Sequence, residues 1–312
     1  MFRRLQTWVW GHLVDWLTGE PAGPSEHVSD FERLRYEIRP ADVLLIEGRS
    51  RVSHIIKTIT LSNWTHAALY VGRLTDIESP KIRTLVEAHY GGDPHEPLVI
   101  EALLGKGTIV TPLRKYREYH LRVCRPTGLS RRDTQAVILH AAEQLGLGYD
   151  VRQILDLARF MFPYHLLPRR WRSSLFEHNA GKPTHAVCSS MLASAFHSVR
   201  FPILPLFVRG EDGQPRFFQR NFKLFTPRDF DYSPYFDIIK YPVFSFDELA
   251  VYRNLPWTED GIVCNDLKEC QALVARHDAA PSTDRPQGQS INLLHGILSG
   301  HTSPALPRGG NR

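Results

Sequence analysis

Thr65-His66-Ala67-Ala68-Leu69-Tyr70-Val71-Gly72 is the stretch on which the fold turns. It is an apolar run headed by a histidine and closed by a glycine, the pattern of a buried strand entered from a loop, Ser62-Asn63-Trp64. Far downstream lies its counterpart, His185-Ala186-Val187-Cys188-Ser189-Ser190-Met191-Leu192-Ala193-Ser194-Ala195-Phe196. This run reads as a helix with a cysteine in its first turn, capped by Thr184 and ending near Val199. Its small residues suit close packing on a sheet. A strand and a helix thus each bring one reactive side chain.

Working outward, Asp42 to Ile46, Thr84 to His89, Leu98 to Leu103, Thr108 to Leu113 and His120 to Cys124 read as further short strands. Residues 73–83 and 91–97 read as connecting loops. Val52 to Leu61 reads as a helix. Beyond Ser130, a suitable N-cap, the pattern is helical to Leu145 and again over Val151 to Phe162. From Phe201 onward, aromatics and prolines suggest an irregular wrap over the core. Strands grouped first and helices after predict an α+β fold, an antiparallel sheet packed against helices, and not alternating βαβ units.

Residues 1–38 form an N-terminal amphipathic helix (2–18) and linker, 39–247 the main domain, and 248–312 an extension expected to be disordered after about 279. The 2–18 helix reads as packed on the domain, or as a peripheral membrane contact with Arg3 and Arg4 at the headgroups. No stretch of about 20 apolar residues is present, so no bilayer span is expected. A cytoplasmic location is the expectation, with membrane association as its variant.

A chain of 312 residues with 42% hydrophobic and 23% charged residues is ordinary for a globular protein. The net charge of +5 is modest, and Arg169-Arg170-Trp171-Arg172 lacks a reading motif, so nucleic acid is not an expected partner. Cys124, Cys188, Cys264 and Cys270 are too scattered for a disulfide scaffold. Free thiols fit a reducing compartment, and Cys264 and Cys270 would pair in an exported protein. A zinc site is the alternative, with His185 and Cys188 three apart on one helical face and His66 joining them, but a tetrahedral set needs further ligands, so no metal or cofactor is expected.

A thiol attacks as thiolate, which a helix N-terminus and a nearby imidazolium both favour. Cys188 is therefore the candidate nucleophile and His66 its base. Glu101 interrupts an apolar run and is costly there unless paired, which makes it the candidate to orient the imidazole. Glu87 sits in a similar Val-Glu-Ala context and competes with it. Tyr149 and Tyr70 are the candidate oxyanion donors beside the Cys188 N–H.

Taken in order, Asp42-Val43-Leu44, Thr65 to Gly72, Val99-Ile100-Glu101-Ala102, Val110-Thr111-Pro112-Leu113, Gly148-Tyr149-Asp150 and Cys188-Ser189 resemble the permuted papain-like cysteine hydrolases. The resemblance is to the YaeF/YiiX-like branch of the NlpC superfamily, distantly related to lecithin retinol acyltransferase, over about residues 39–245. It implies a permuted papain-like fold in which the sheet histidine precedes the helix cysteine. It also implies a thioester mechanism with Cys188 as nucleophile, His66 as base and Glu101 as third member. The substrates it implies are peptides or other amides, with lipid acyl transfer or hydrolysis, or a binding module without activity, as alternatives. The N-terminal helix, an insertion at about 73–97, the basic stretch and the C-terminal extension depart from the simplest members.

Overall fold

Short runs of Val, Ile and Leu form the centre of the molecule. The computed structural model describes residues 12, 14–20, 29–148, 188–243, 249–255, 257, 263–264 and 267–279. Most of the 2–18 helix, the Val151–Phe162 helix, Thr184, Tyr149, the 169–172 basic stretch and the tail after 279 lie outside the described residues. The chain divides into two compact units, Met1–Ser245 and Phe246–Arg312.

In the first unit the elements run α1 (Phe31–Glu37), β1 (Val43–Ile46), α2 (Arg51–Thr60), β2 (His66–Gly72), α3 (Pro80–Glu87), β3 (Leu98–Leu103), β4 (Gly107–Pro112) and β5 (Leu121–Pro126). Then follow α4 (Arg131–Ala142), α5 (Cys188–Ser198), β6 (Leu206–Arg209), β7 (Pro215–Phe218), α6 (Pro227–Tyr232) and β8 (Phe236–Ile239). Six strands make one antiparallel sheet in the order β4-β3-β2-β1-β5-β8. This is an α+β architecture, an antiparallel sheet packed against helices.

Alternation along the strands sorts side chains to two faces. Ala67, Leu69 and Val71 of β2 and Ile100 of β3 meet α3, α4 and α5 through Ile82, Val86, Val137, Ala141, Leu192 and Phe196. Ala68, Tyr70 and Val99 point the other way, onto Phe31 and Leu34 of α1 and onto Leu113 and Tyr116. His66 and Glu101 have the parity of this second face. The central strands β1 and β2 are buried on both sides, which is why they read as continuous apolar runs.

Three expectations are corrected. Thr84 to His89 is not a strand, and 73–83 is not all loop. Ser79 caps α3 by accepting from the Ile82 N–H, Pro80 starts it, and Ile82 and Val86 bury one helical face. Phe201 onward is more regular than a wrap. It adds the sixth strand, β8, on β5, and a separate β6–β7 hairpin with Phe207 and Phe217 exposed. In the second unit, Cys264 and Cys270 are joined as a disulfide, and Leu267–Ala279 is a helix (α7). Cys124 and Cys188 are free thiols.

Within the described part of the N-terminal segment, residues 14–18 are helical and Leu17 is buried. Arg51 donates to the Trp16 carbonyl at 2.9 Å and lies over its ring at 4.9 Å, so this turn leans on the domain. No helix among the described residues is long and apolar enough to cross a membrane.

Candidate active site

β2 begins at His66, and the register Ile46↔His66 puts that residue at the end of the two central strands. The approach is held by Thr65, whose Oγ1 accepts from the Gly48 N–H at 2.9 Å. Across the sheet Leu69 pairs with Ile100, and one further step brings Glu101 opposite Ala68. His66 is then the next residue along on the same face, within diagonal reach. Its Nε2 donates to Glu101 Oε2 at 2.6 Å. With Nε2 on the carboxylate, Nδ1 is the nitrogen left for a second partner. That partner is Cys188, which hydrogen-bonds the His66 ring.

Cys188 arrives on the helix packed against the opposite face of β2. It is the first residue of α5, and the backbone N–H groups of Ala67 and Ser189 both point at its sulfur. Ser189 ties the helix start down, its Oγ donating to the Phe225 carbonyl at 2.6 Å. The structure therefore brings together Cys188, His66 and Glu101, three residues far apart in the chain.

Charge follows from this arrangement. Burial pushes the Cys188 thiol up, but the His66 imidazolium and the two N–H groups outweigh it and hold the thiol below its ordinary value. Burial disfavours charge on His66 too; the Cys188 thiolate and then Glu101 overcome it and push the imidazole up to about 10. Both shifts favour the thiolate–imidazolium form of the pair. Glu101 is fully buried. Burial alone would raise it, but its bond to His66 and the charges of His66 and Lys115 hold it well below the usual carboxylate range.

Two partners of Glu101 were not read from the sequence. Lys115 Nζ donates to Oε1 at 3.0 Å, and the Tyr116 hydroxyl donates to Oε2. Both residues lie in the tight turn Leu113–Tyr116 after β4, which folds beneath the sheet. Their spacing from Glu101 follows no strand or helix period, and the sole signal was a buried carboxylate needing cationic company. Other expectations did not meet the site. Glu87 is an exposed residue at the end of α3. Tyr70 is buried four residues along β2 from His66, roughly 13 Å away at strand rise, too far to serve an oxyanion there. Tyr149 lies outside the described residues. Among the described residues no cluster of three or more His, Cys, Asp or Glu side chains is placed to hold a metal.

Residues 37–162 match the permuted papain-like amidase enzyme family, YaeF/YiiX, C92. The amidase-family segment includes His66, Glu101, Lys115 and Tyr116 and stops short of Cys188. It agrees with the YaeF/YiiX part of the resemblance carried by the motifs, and it supports a hydrolase acting on amide bonds. The chain is also similar to a solved structure titled "Crystal structure of metalloprotein yiiX from Escherichia coli O157:H7, DUF1105", at 16% identity and a TM-score of 0.39. That likeness covers 65% of this chain and 97% of the other. No curated protein matches.

Proposed function

We propose that the protein is a cysteine amidase or peptidase working through a thioester on Cys188. The observation supporting this reading is the His66 ring, bonded on one side to a buried carboxylate and on the other to a sulfur at a helix start. Cys188 thiolate attacks the carbonyl carbon of an amide. The His66 imidazolium gives its proton to the departing nitrogen as the C–N bond breaks. Water then attacks the thioester and His66 takes its proton. The C–S bond breaks, the acid leaves, and the thiolate returns. Glu101 holds the ring direction and stabilises the imidazolium each time it forms.

The test is intact-protein mass spectrometry after a short exposure to p-nitrophenyl acetate, with nitrophenolate release followed in parallel. One acetyl group on Cys188, absent from Cys188→Ala, is the expected result. Equal acetylation of the Cys188→Ala variant would overturn the reading. The same measurement on protein incubated with cell extract separates substrate classes. A peptidyl or other amide-derived acyl group on Cys188 supports the amidase, and a fatty acyl group would replace it by the lipid-directed enzyme.

A further inference from the structure

We propose that Lys115 is a positioning residue for the second half of the reaction: it is the cation that keeps Glu101 ionised while Cys188 is acylated, and so it governs thioester hydrolysis. The inference rests on the cysteine-hydrolase reading and deepens it.

Glu101 has no exposure to water, and a carboxylate in such a place takes a proton unless a positive group compensates it. The groups that face it are His66 from β2, Lys115 and Tyr116 from the turn after β4, Thr111 from β4, and, through His66, the Cys188 sulfur. Tyr116 stays a neutral donor, because burial and the adjacent carboxylate hold its proton. Tyr119 packs edge-on to the Tyr116 ring and adds no positive charge. Two of these groups can carry positive charge, and they sit on different oxygens, His66 on Oε2 and Lys115 on Oε1.

In the resting site the charges pair off, thiolate with imidazolium and Glu101 with Lys115. Acylation breaks that balance. The imidazolium proton leaves with the amine, and the sulfur, now in a thioester, is neutral. His66 is then uncharged, and among the described residues Lys115 is the cation left on Glu101. Its ammonium is held 3.1 Å from the Tyr116 oxygen and 4.9 Å above the Tyr116 ring, so it stays in place through the change. Hydrolysis now requires water to attack the thioester carbon while His66 Nδ1 takes a proton and becomes imidazolium. The C–S bond breaks and the sulfur leaves as thiolate. An ionised Glu101 stabilises that forming imidazolium, and a protonated one does not.

The experiment follows the decay of acetyl-Cys188, formed with p-nitrophenyl acetate, by intact mass across pH in the full chain. Lys115→Met is expected to accumulate the acetyl-enzyme, with its decay slowed about tenfold or more near neutral pH and the acid limb of the decay profile moved to higher pH. Lys115→Arg, which retains the charge, is expected to restore the wild-type profile. Should Lys115→Met fail to fold by circular dichroism, Lys115→Gln takes its place. Decay of the neutral variant at the wild-type rate with an unmoved acid limb would overturn the assignment. So would equal, pH-independent slowing in the neutral and Arg variants, which would mean a packing role. A wild-type protein that is never acetylated at Cys188 marks the failure of the underlying reading instead, and this assignment falls with it.

Discussion

At the scale of single residues, the site is two opposing effects on one sulfur. Burial works against the thiolate, and His66 with two backbone N–H groups works for it. Removing His66 takes away the larger part of the favourable side and leaves burial opposed only by the Ala67 and Ser189 N–H groups. In His66→Ala the Cys188 thiol is therefore expected to titrate at or above the ordinary thiol value of about 8.5. Its iodoacetamide reactivity at pH 7 should fall by about tenfold or more. In the wild type the sign is the reverse. The thiol is held below its ordinary value, and the imidazole beside it is pushed up to about 10. Alkylation of Cys188 should then be nearly flat from about pH 6 to pH 8, while an ordinary thiol climbs steadily over the same range. A wild-type profile climbing like a free thiol's would show that the two side chains do not exchange charge. Cys124 is the internal control, a free thiol buried in the sheet and pushed up by that burial.

At the scale of elements, what matters is how the loop before β2 delivers His66. Gly48 follows β1 with its N–H on Thr65 Oγ1, and a Cβ there would run into the Ser53 hydroxyl and come within 2.7 Å of that same Thr65 oxygen. Both hydroxyl residues are buried and have little room to yield. Gly48→Ala is expected to cost about 1–3 kcal/mol, the range of an overpacked core. It should also lower Cys188 alkylation, because Thr65 must move and His66 follows it. Thermal denaturation and the alkylation rate check the two halves separately; unchanged alkylation in a destabilised variant would show that His66 is fixed by β1 and β3 alone. The elements also show where sequence was readable. β1 and β2 are apolar and buried on both faces, and Ser130 does cap α4 by accepting from the Asp133 N–H. α3 has the look of a strand because Leu85-Val86-Glu87-Ala88 repeats the Val/Ile-Glu-Ala of β3, and only the Ser79-Pro80 start reveals a helix. β8 was missed because Asp237 and Ile238 are exposed on an edge strand, so its burial pattern is faint.

At the scale of the molecule, the sheet carries two cores, and the helix layer that brings Cys188 lies on one side while α1 closes the other. Asp42 was legible only as part of a family-like motif. In the structure it clamps the second layer: Arg125 of β5 reaches both its oxygens, Nε at 3.0 Å and Nη2 at 2.8 Å, and also donates to the Glu37 carbonyl at the end of α1. The Arg39 N–H adds a third donor to the carboxylate. Asp42 is buried, and burial raises its titration above the ordinary Asp value even against the guanidinium. Arg125→Met removes the counter-charge and is expected to destabilise the fold by about 3 kcal/mol at pH 8, as for a buried pair that loses one partner. The pH sign follows from the raised titration of Asp42. An acid whose folded value lies above its unfolded value is a cost while ionised, and the cost disappears as pH falls through the folded value. The deficit of Arg125→Met should therefore shrink from pH 8 toward pH 5. The double variant Asp42→Asn, Arg125→Met should regain part of the loss at pH 8, because no buried charge is then left alone. Cys188 alkylation should stay at the wild-type rate in the folded fraction of both, since Asp42 lies at the other end of β1 from Ile46, the residue paired with His66. Denaturant midpoints at the two pH values decide it: a deficit that does not change with pH would mean the clamp acts through shape and hydrogen bonds to Glu37, not through the charge on Asp42.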